Sequence, residues 1–346
     1  MKFGPVAVAD SVGAIAAHSI RFDGFVLKKG EPVTSAHVET LRAAGIHELI
    51  VAQLEADDVG ENDAAGALAH ALAGAHVRVE TPFTGRSNLF AERAGVLVIN
   101  DAGVDGVNDV DETLTVATLA PWKAVVAGEM IATVKVIPYA APRTALDAAL
   151  ALSRKDFIKV AAFRGKKVGV ISTLLPGLKP ATVTKTLRVM GERLALMGGE
   201  MVCDLRTAHE AGALAAAIKQ AAALADIVVV FGASAITDRR DVIPSALVHA
   251  GGEIVHLGMP VDPGNLLLVG RVAGKPLLGA PGCARSPKEN GFDWVLQRLF
   301  ADLAITASDI RRMGVGGLLM EIVTRGQPRE GHPGEAIAPE GSRDDD

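Results

Sequence analysis

After Asp226 the sequence runs through an unbroken apolar stretch into Gly232-Ala-Ser-Ala-Ile-Thr-Asp-Arg-Arg-Asp241, a loop of small residues that closes on an acid. Backbone amides of such a loop, Gly232 and Ala233 first among them, can approach a phosphate closely, and the start of the next helix favours negative charge. Ser234 and Thr237 add hydroxyl donors, although turn and cap roles suit both equally well. Asp241 is the leading candidate for binding a metal or orienting a water, with Asp238 second; Asp241 also suits the helix N-cap. Two further loops carry the same small-residue signature: Met259-Pro-Val-Asp-Pro263-Gly264-Asn265 and Gly279-Ala-Pro281-Gly282-Cys-Ala-Arg285-Ser286. Arg285, with Lys288 after it, is placed to pair with a phosphate or to serve as a solvated loop charge.

Other reactive residue types form no comparable set. The nine histidines contain no His-x-x-x-His pair and none neighbours a plausible serine nucleophile, so zinc and hydrolase chemistry find no support. His256, between apolar residues, reads as a core or pocket-wall side chain. Cys203 and Cys283 cannot build a disulfide framework or a four-ligand site, and both read as buried thiols. Asp57, Asp58, Glu61 and Asp63 precede an apolar helix, where the helix dipole alone favours acids. Arg86 and Asn88 lie in a glycine-turn loop and are weaker candidates for binding a phosphate. Gly314-Val-Gly-Gly317 follows no clear strand and does not make a dinucleotide fingerprint.

The three loops need elements to hold them. Residues 166–173, 200–205, 226–231 and 253–257 read as strands; 182–197, 210–225, 241–250 and 289–303 read as helices; 266–272 with 275–278 reads as a hairpin around Ala273-Gly274. Alternating strands and helices predict an α/β fold with a doubly wound, mainly parallel sheet, whose ligands bind beyond the carboxyl ends of the strands. Upstream, helices at 35–44 and 64–73 and turn-linked strands over 95–140 predict a separate α+β module. The expected division is 1–150, then 160–305, then an extension over 306–327. Residues 328–346 are nearly devoid of apolar side chains and are expected to be disordered.

Composition narrows the function classes. The chain has 346 residues, 49% hydrophobic, enough for a sizeable core of about two domains. Its 35 basic against 40 acidic side chains give a net charge of −5, so no global positive field draws in nucleic acid or anionic lipid. Aromatics are only 4%, too few for a base-stacking surface. The longest stretch free of charged residues, 64–77, is fourteen residues with two histidines, too short for a membrane span. The N-terminus lacks a cationic region followed by an apolar core, and a cytoplasmic location is expected.

The segment 166–304 resembles the molybdopterin-binding domain shared by molybdopterin adenylyltransferases and molybdopterin molybdotransferases. The resemblance lies in the order and spacing of Ser172-Thr173 at the first strand end, Gly232-Ala-Ser-Ala with Asp241, Asp262-Pro263-Gly264, and Pro276-Leu-Leu-Gly-Ala-Pro281-Gly282-Cys-Ala. It extends over roughly 10–325: Leu27-Lys-Lys-Gly30, Leu41-Arg-Ala-Ala-Gly45, Thr84-Gly-Arg-Ser-Asn88, Ala132-Thr-Val-Lys135 and Gly314-Val-Gly-Gly-Leu-Leu-Met-Glu321 look like molybdotransferase-like proteins. The resemblance implies binding of molybdopterin or a nucleotide derivative of it, magnesium at Asp241, and a role in molybdenum-cofactor biosynthesis. It implies a molybdotransferase-like enzyme, or a carrier or sensor that hands the cofactor to a nucleotidyltransferase or an apo-molybdoenzyme, with a homodimer as the expected assembly. The sequence departs from the family where an acidic pair should follow the first strand: Leu174-Leu-Pro-Gly177 stands there instead. Ala233 and Ala235 replace glycines. These losses favour binding over turnover, and they also count against the alternative, a pyrophosphatase of the competence/damage-inducible type with the same fold.

Overall fold

The computed structural model describes residues 1–153 and 156–319. Six strands build the C-terminal sheet: β1 (Lys167–Leu174), β2 (Glu200–Ala208), β3 (Ile227–Phe231), β4 (Glu253–Leu257), β5 (Leu268–Val272) and β6 (Lys275–Ala280). The helices beside them are α1 (Pro180–Leu196), α2 (Ala211–Leu224), α3 (Val242–His249), α4 (Gly291–Phe300) and α5 (Ala307–Arg311). Across the sheet the order is β2-β1-β3-β6-β5-β4. β1 runs parallel to β2 and β3, and β3 to β6, whereas β5 is antiparallel to both β6 and β4. Ala273 and Gly274, with φ of 49° and 74°, make the two-residue β5–β6 turn, the backbone that joins twisted antiparallel strands with least distortion.

β3 is buried along its whole length, as a strand covered on both faces must be. Its alternate side chains divide between two cores. Val229 and Phe231, with Val168 and Val170 of β1, pack against Met190 and Leu194 of α1 and Phe292, Val295 and Leu296 of α4. Val228 and Val230, with Ile171, pack against Leu214 and Ile218 of α2 and Ile243 and Leu247 of α3. Each such side chain contributes about 1.5–3 kcal/mol when fully buried, so these contacts hold helices on both faces of the sheet. The helices start where local chemistry allows: α1 takes Pro180 in its first turn, and α4 begins with a reciprocal Asn290–Asp293 capping box.

The N-terminal part has two cores of its own. Helix Ser35–Ala43 covers a three-stranded sheet of Lys2–Ala7, Glu48–Gln53 and Ile15–Ala16. Helices Glu61–Leu72 and Arg143–Leu152 pack with a four-stranded sheet ordered Leu114–Thr118, Met130–Val136, Arg86–Ala91, Val77–Val79. Glu61–Leu72 starts three residues before the expected helix because Glu61 and Asp63 form its acidic first turn. A larger difference lies at Asp101–Asn108, a helix within the stretch expected to be strands and turns. The Asn and Gly residues that suggest a turn there act instead as a cap, with Asn100 Oδ1 accepting from the Gly103 amide at 3.0 Å, while Val104 and Val107 go to the core.

Arg298 of α4 stacks its guanidinium 4.4 Å from the Trp122 ring centroid, joining the C-terminal sheet's helix layer to the N-terminal part. The protein is a mixed α/β structure with several sheets. Among the described residues no helix is long and apolar enough to cross a membrane. Of the expected extension, 306–319 is described and contains α5; residues 320–327 and the expected disordered tail 328–346 lie outside the described residues.

Candidate functional site at the carboxyl edge of the sheet

The strand register places three predicted loops at one edge. Ser172 pairs with Phe231 and Phe231 with Ala280, while Gly279 pairs with Leu268 and Leu268 with Leu257. The exits of β1, β3, β6 and β4 therefore stand level with one another. Arg285 joins two of them: its Nη2 donates to the Gly232 carbonyl at 2.8 Å, its Nη1 to Thr186 Oγ1 of α1 at 2.7 Å, and its guanidinium carbon lies 5.4 Å from the Phe231 ring centroid. The loop after β4 meets the start of α4, where the Gly291 amide donates to the Pro263 carbonyl at 2.9 Å, and burial above all pushes the nearby Cys283 thiol above its ordinary pKa.

Gly232 is a close-packed position. An added Cβ would sit 2.6 Å from the Ser234 carbonyl oxygen and 2.8 Å from Ile243 Cδ1. After it the Ala233 amide donates to Thr173 Oγ1 at 2.8 Å, and the same hydroxyl oxygen lies 2.8 Å from His209 Nδ1. The Ala233 donor and the His209 contact together lock Thr173 against the loop. Beyond this anchor the amides of Ser234, Ala235 and Ile236 have no acceptor among the described residues. Ser172, 1% exposed, also has no partner for its hydroxyl among the described residues. A buried polar group without a partner costs about 1–3 kcal/mol, which a water or a ligand atom bonded to it would recover.

Arg285 is half-buried, and burial lowers its guanidinium pKa with no acid opposing the shift. Among the described residues no carboxylate lies within ion-pair distance of it. In the adjoining helix layer Asp293 is taken by another cation: it accepts from Arg193 Nε at 2.5 Å and from the Asn290 amide at 2.9 Å. Arg193, 9% exposed, also donates to the carbonyls of Ala284 at 2.8 Å and Ser286 at 2.6 Å, fixing the backbone on both sides of Arg285.

The remaining predicted residues have visible structural duties. Asp241 caps α3: its Oδ1 accepts from the Val242 amide at 2.7 Å and its Oδ2 from the Thr237 amide at 3.2 Å. Both Asp238 oxygens accept from Arg240, which holds that carboxyl below its ordinary pKa. No carboxylate oxygen of this loop is thus without a donor, and among the described residues no three His, Cys, Asp or Glu side chains gather as a metal set. Asp238 and Asp241 serve the loop's own structure and present no carboxylate free of protein donors to a magnesium ion. Pro263 accepts from the Gly291 amide at 2.9 Å, and a Cβ on Gly264 would meet the Gly291 nitrogen at 2.7 Å, so this pair seats the start of α4. Pro281 and Gly282 open the short turn that carries Arg285, and Ser286 ends it.

Sequence reasoning overlooked Thr186, His209 and Arg193. His209 follows directly on a strand end, a position that could have flagged it; Thr186 and Arg193 lie seven apart on the buried face of α1, where their spacing looks like core. Elsewhere, of the acids at the start of helix Glu61–Leu72, Asp58 pairs with the Met1 amine at 2.7 Å and Glu61 with Lys135 at 3.6 Å. Arg86 donates to Thr133 Oγ1, which in turn donates to Asn88 Oδ1, and Asn88 Nδ2 donates to Glu80 Oε2, so both are held within the N-terminal sheet, far along the chain from the loops above. His256 stands on β4, where burial and then Arg311 and Arg239 hold its imidazole below the ordinary pKa. A cavity of about 290 Å³ opens at the opposite, amino edge of the sheet, between Lys166, Asp226, Leu299 and Ile305.

Residues 5–53 match the profile of a family described as Domain of unknown function (DUF8806). No curated protein matches the chain. Among solved structures, a molybdopterin biosynthesis moea protein from Pyrococcus horikosii is similar at 15% identity and a TM-score of 0.32, over 87% of this chain and 75% of that one. The protein CinA, of unknown function, from Thermoplasma acidophilum is similar at 19% identity and a TM-score of 0.29, over 40% of this chain and 99% of that one. A molybdenum cofactor biosynthesis protein from Pyrococcus furiosus is similar at 11% identity and a TM-score of 0.26, over 88% and 65%. These likenesses are distant.

Proposed function

We propose that the carboxyl edge of the C-terminal sheet binds the phosphate end of molybdopterin, or of a nucleotide derivative of it, and that the protein serves molybdenum-cofactor biosynthesis as a carrier. On this reading the six-stranded sheet is a doubly wound molybdopterin-binding fold. The observation that carries the proposal is the pairing, on one edge, of a half-buried guanidinium without a carboxylate and a buried Ser172 hydroxyl without a partner, beside three open amides. Together they supply positive charge and directed N–H and O–H donors, which is what a phosphate monoester requires. The order of the loop motifs supplies the pterin part of the reading.

In this mechanism Ser234, Ala235 and Ile236 donate backbone N–H bonds to phosphate oxygens, Arg285 offsets their charge, and Ser172 donates its hydroxyl proton. Gly232 keeps the loop against α3, and Thr173 with His209 holds the loop's first turn. A carrier is favoured over a molybdotransferase-like enzyme because Asp238 and Asp241 are committed to Arg240 and to the α3 cap. The test is anaerobic binding of molybdopterin to the full chain, followed by a molybdate-insertion assay. Saturable binding without insertion supports the carrier; insertion that depends on Asp241 replaces it with the transferase; absence of binding removes both.

A further inference from the structure

We propose that Arg285 takes the place of a divalent cation at this edge, so that the protein holds its phosphorylated ligand without metal. The inference rests on the phosphate site proposed above. Phosphate sites that use magnesium bring the ion in on one or two carboxylates and share it with phosphate oxygens. Here each carboxylate oxygen of the β3–α3 loop already accepts a hydrogen bond: Asp238 from Arg240, Asp241 from Val242 and Thr237. The β1 exit, at the same edge, continues from Leu174 into Leu175, neither of which carries a side-chain oxygen, and their carbonyls already accept from the His209 and Leu178 amides.

The positive charge is built in elsewhere. Arg285 reaches Gly232 at the end of β3 and Thr186 on α1, lies against the Phe231 ring, and has three of its five N–H groups unengaged by any described residue. Its two bonds go to neutral oxygens, so its charge is undiminished. The backbone around it is pinned by Arg193, whose own charge Asp293 cancels. Ser172 is next to Phe231 in the strand register and shares the sheet face of Val168 and Val170, the face on which Arg285 lies against Phe231. A planar guanidinium with free N–H groups binds two phosphate oxygens at once, with geometry that a hydrated ion does not impose.

The experiment is a nuclear magnetic resonance titration of the full chain with inorganic phosphate, following the Ser234, Ala235 and Ile236 amides, in EDTA and again in excess magnesium. The expected result is the same dissociation constant in both buffers to within about twofold, a loss of about tenfold or more in Arg285→Gln, and a smaller loss in Arg285→Lys, which keeps the charge but not the fork. Magnesium-dependent binding, unchanged affinity in Arg285→Gln, or no saturable binding each overturns the proposal. The comparison of buffers uses the wild-type protein, so it decides the question even where Arg285→Gln perturbs folding. Molybdopterin titrated in the same buffers separates the two ideas: binding that needs magnesium removes the role of Arg285 and leaves the proposed function standing, whereas metal-free phosphate binding without molybdopterin binding does the reverse.

Discussion

Replacing Arg193 by leucine leaves the Asp293 carboxylate buried with its counter-charge gone. Asp293 is 7% exposed, and of its two hydrogen-bond sources only the Asn290 amide would remain. Breaking a buried pair by removing one partner costs about 3–5 kcal/mol, because the surviving charge is neither solvated nor paired. The buried carbonyl of Ala284 and the half-buried one of Ser286 also lose a donor, which can only add to that cost. For a cooperative unit of 150–250 residues this lowers the melting midpoint by roughly 6–20 °C.

The loss has a defined pH dependence. Burial pushes the Asp293 carboxyl above its ordinary pKa, and the Arg193 guanidinium pulls against that shift. Without Arg193 the folded-state pKa rises further, so the folded variant binds a proton that the unfolded chain has released. Stability of the variant then falls as pH rises from the ordinary carboxylate range through the raised pKa. Its deficit against wild type is largest at neutral pH and narrows in acid. Urea unfolding of both proteins between pH 4 and 8, read on the C-terminal sheet, measures it. A deficit below about 1 kcal/mol, or one that does not change with pH, refutes the buried-pair argument.

Ser172→Ala removes a hydroxyl that has no partner, so the ligand-free protein should keep or gain up to about 1 kcal/mol in denaturant unfolding while its phosphate affinity falls. Gly232→Val drives a side chain into Ser234 O and Ile243, and is expected to cost about 1–3 kcal/mol and to abolish phosphate-induced amide shifts in the loop. Thr306→Ala removes the hydroxyl that caps α5 and holds the Asp309 carboxyl low; a loss of about 1 kcal/mol is expected at neutral pH. Because the Asp309 contribution is present above the ordinary carboxylate range and lost as pH falls through the lowered pKa, the penalty should shrink in acid, which melts at two pH values will show.

The C-terminal sheet was legible because its periodicity is strong. The unbroken apolar run at β3, the paired glycines after α1 and α3, and Ala273-Gly274 in the hairpin each allow one local structure, and the observed bounds lie within a few residues of the expected ones. Asp101–Asn108 was hidden by its Asp, Gly and Asn content, which suits turns and caps alike; only tertiary burial of Val104 and Val107 decides for helix. At the site, Gly232 and Arg285 could be singled out because loop residues advertise chemistry. The charge state of the site could not. Whether Asp238 is open depends on Arg240 folding back two residues, and the Asp293 carboxylate is paired with Arg193, one hundred residues away. Such allegiances are settled by packing, not by spacing.

The most direct test of the phosphate-edge account is equilibrium binding of molybdopterin, held anaerobically, to the wild-type chain and to Gly232→Val under conditions where both are folded. Saturable one-to-one binding by wild type that is lost in Gly232→Val is the predicted result. Failure of the wild type to bind, or equal binding by both proteins, contradicts it.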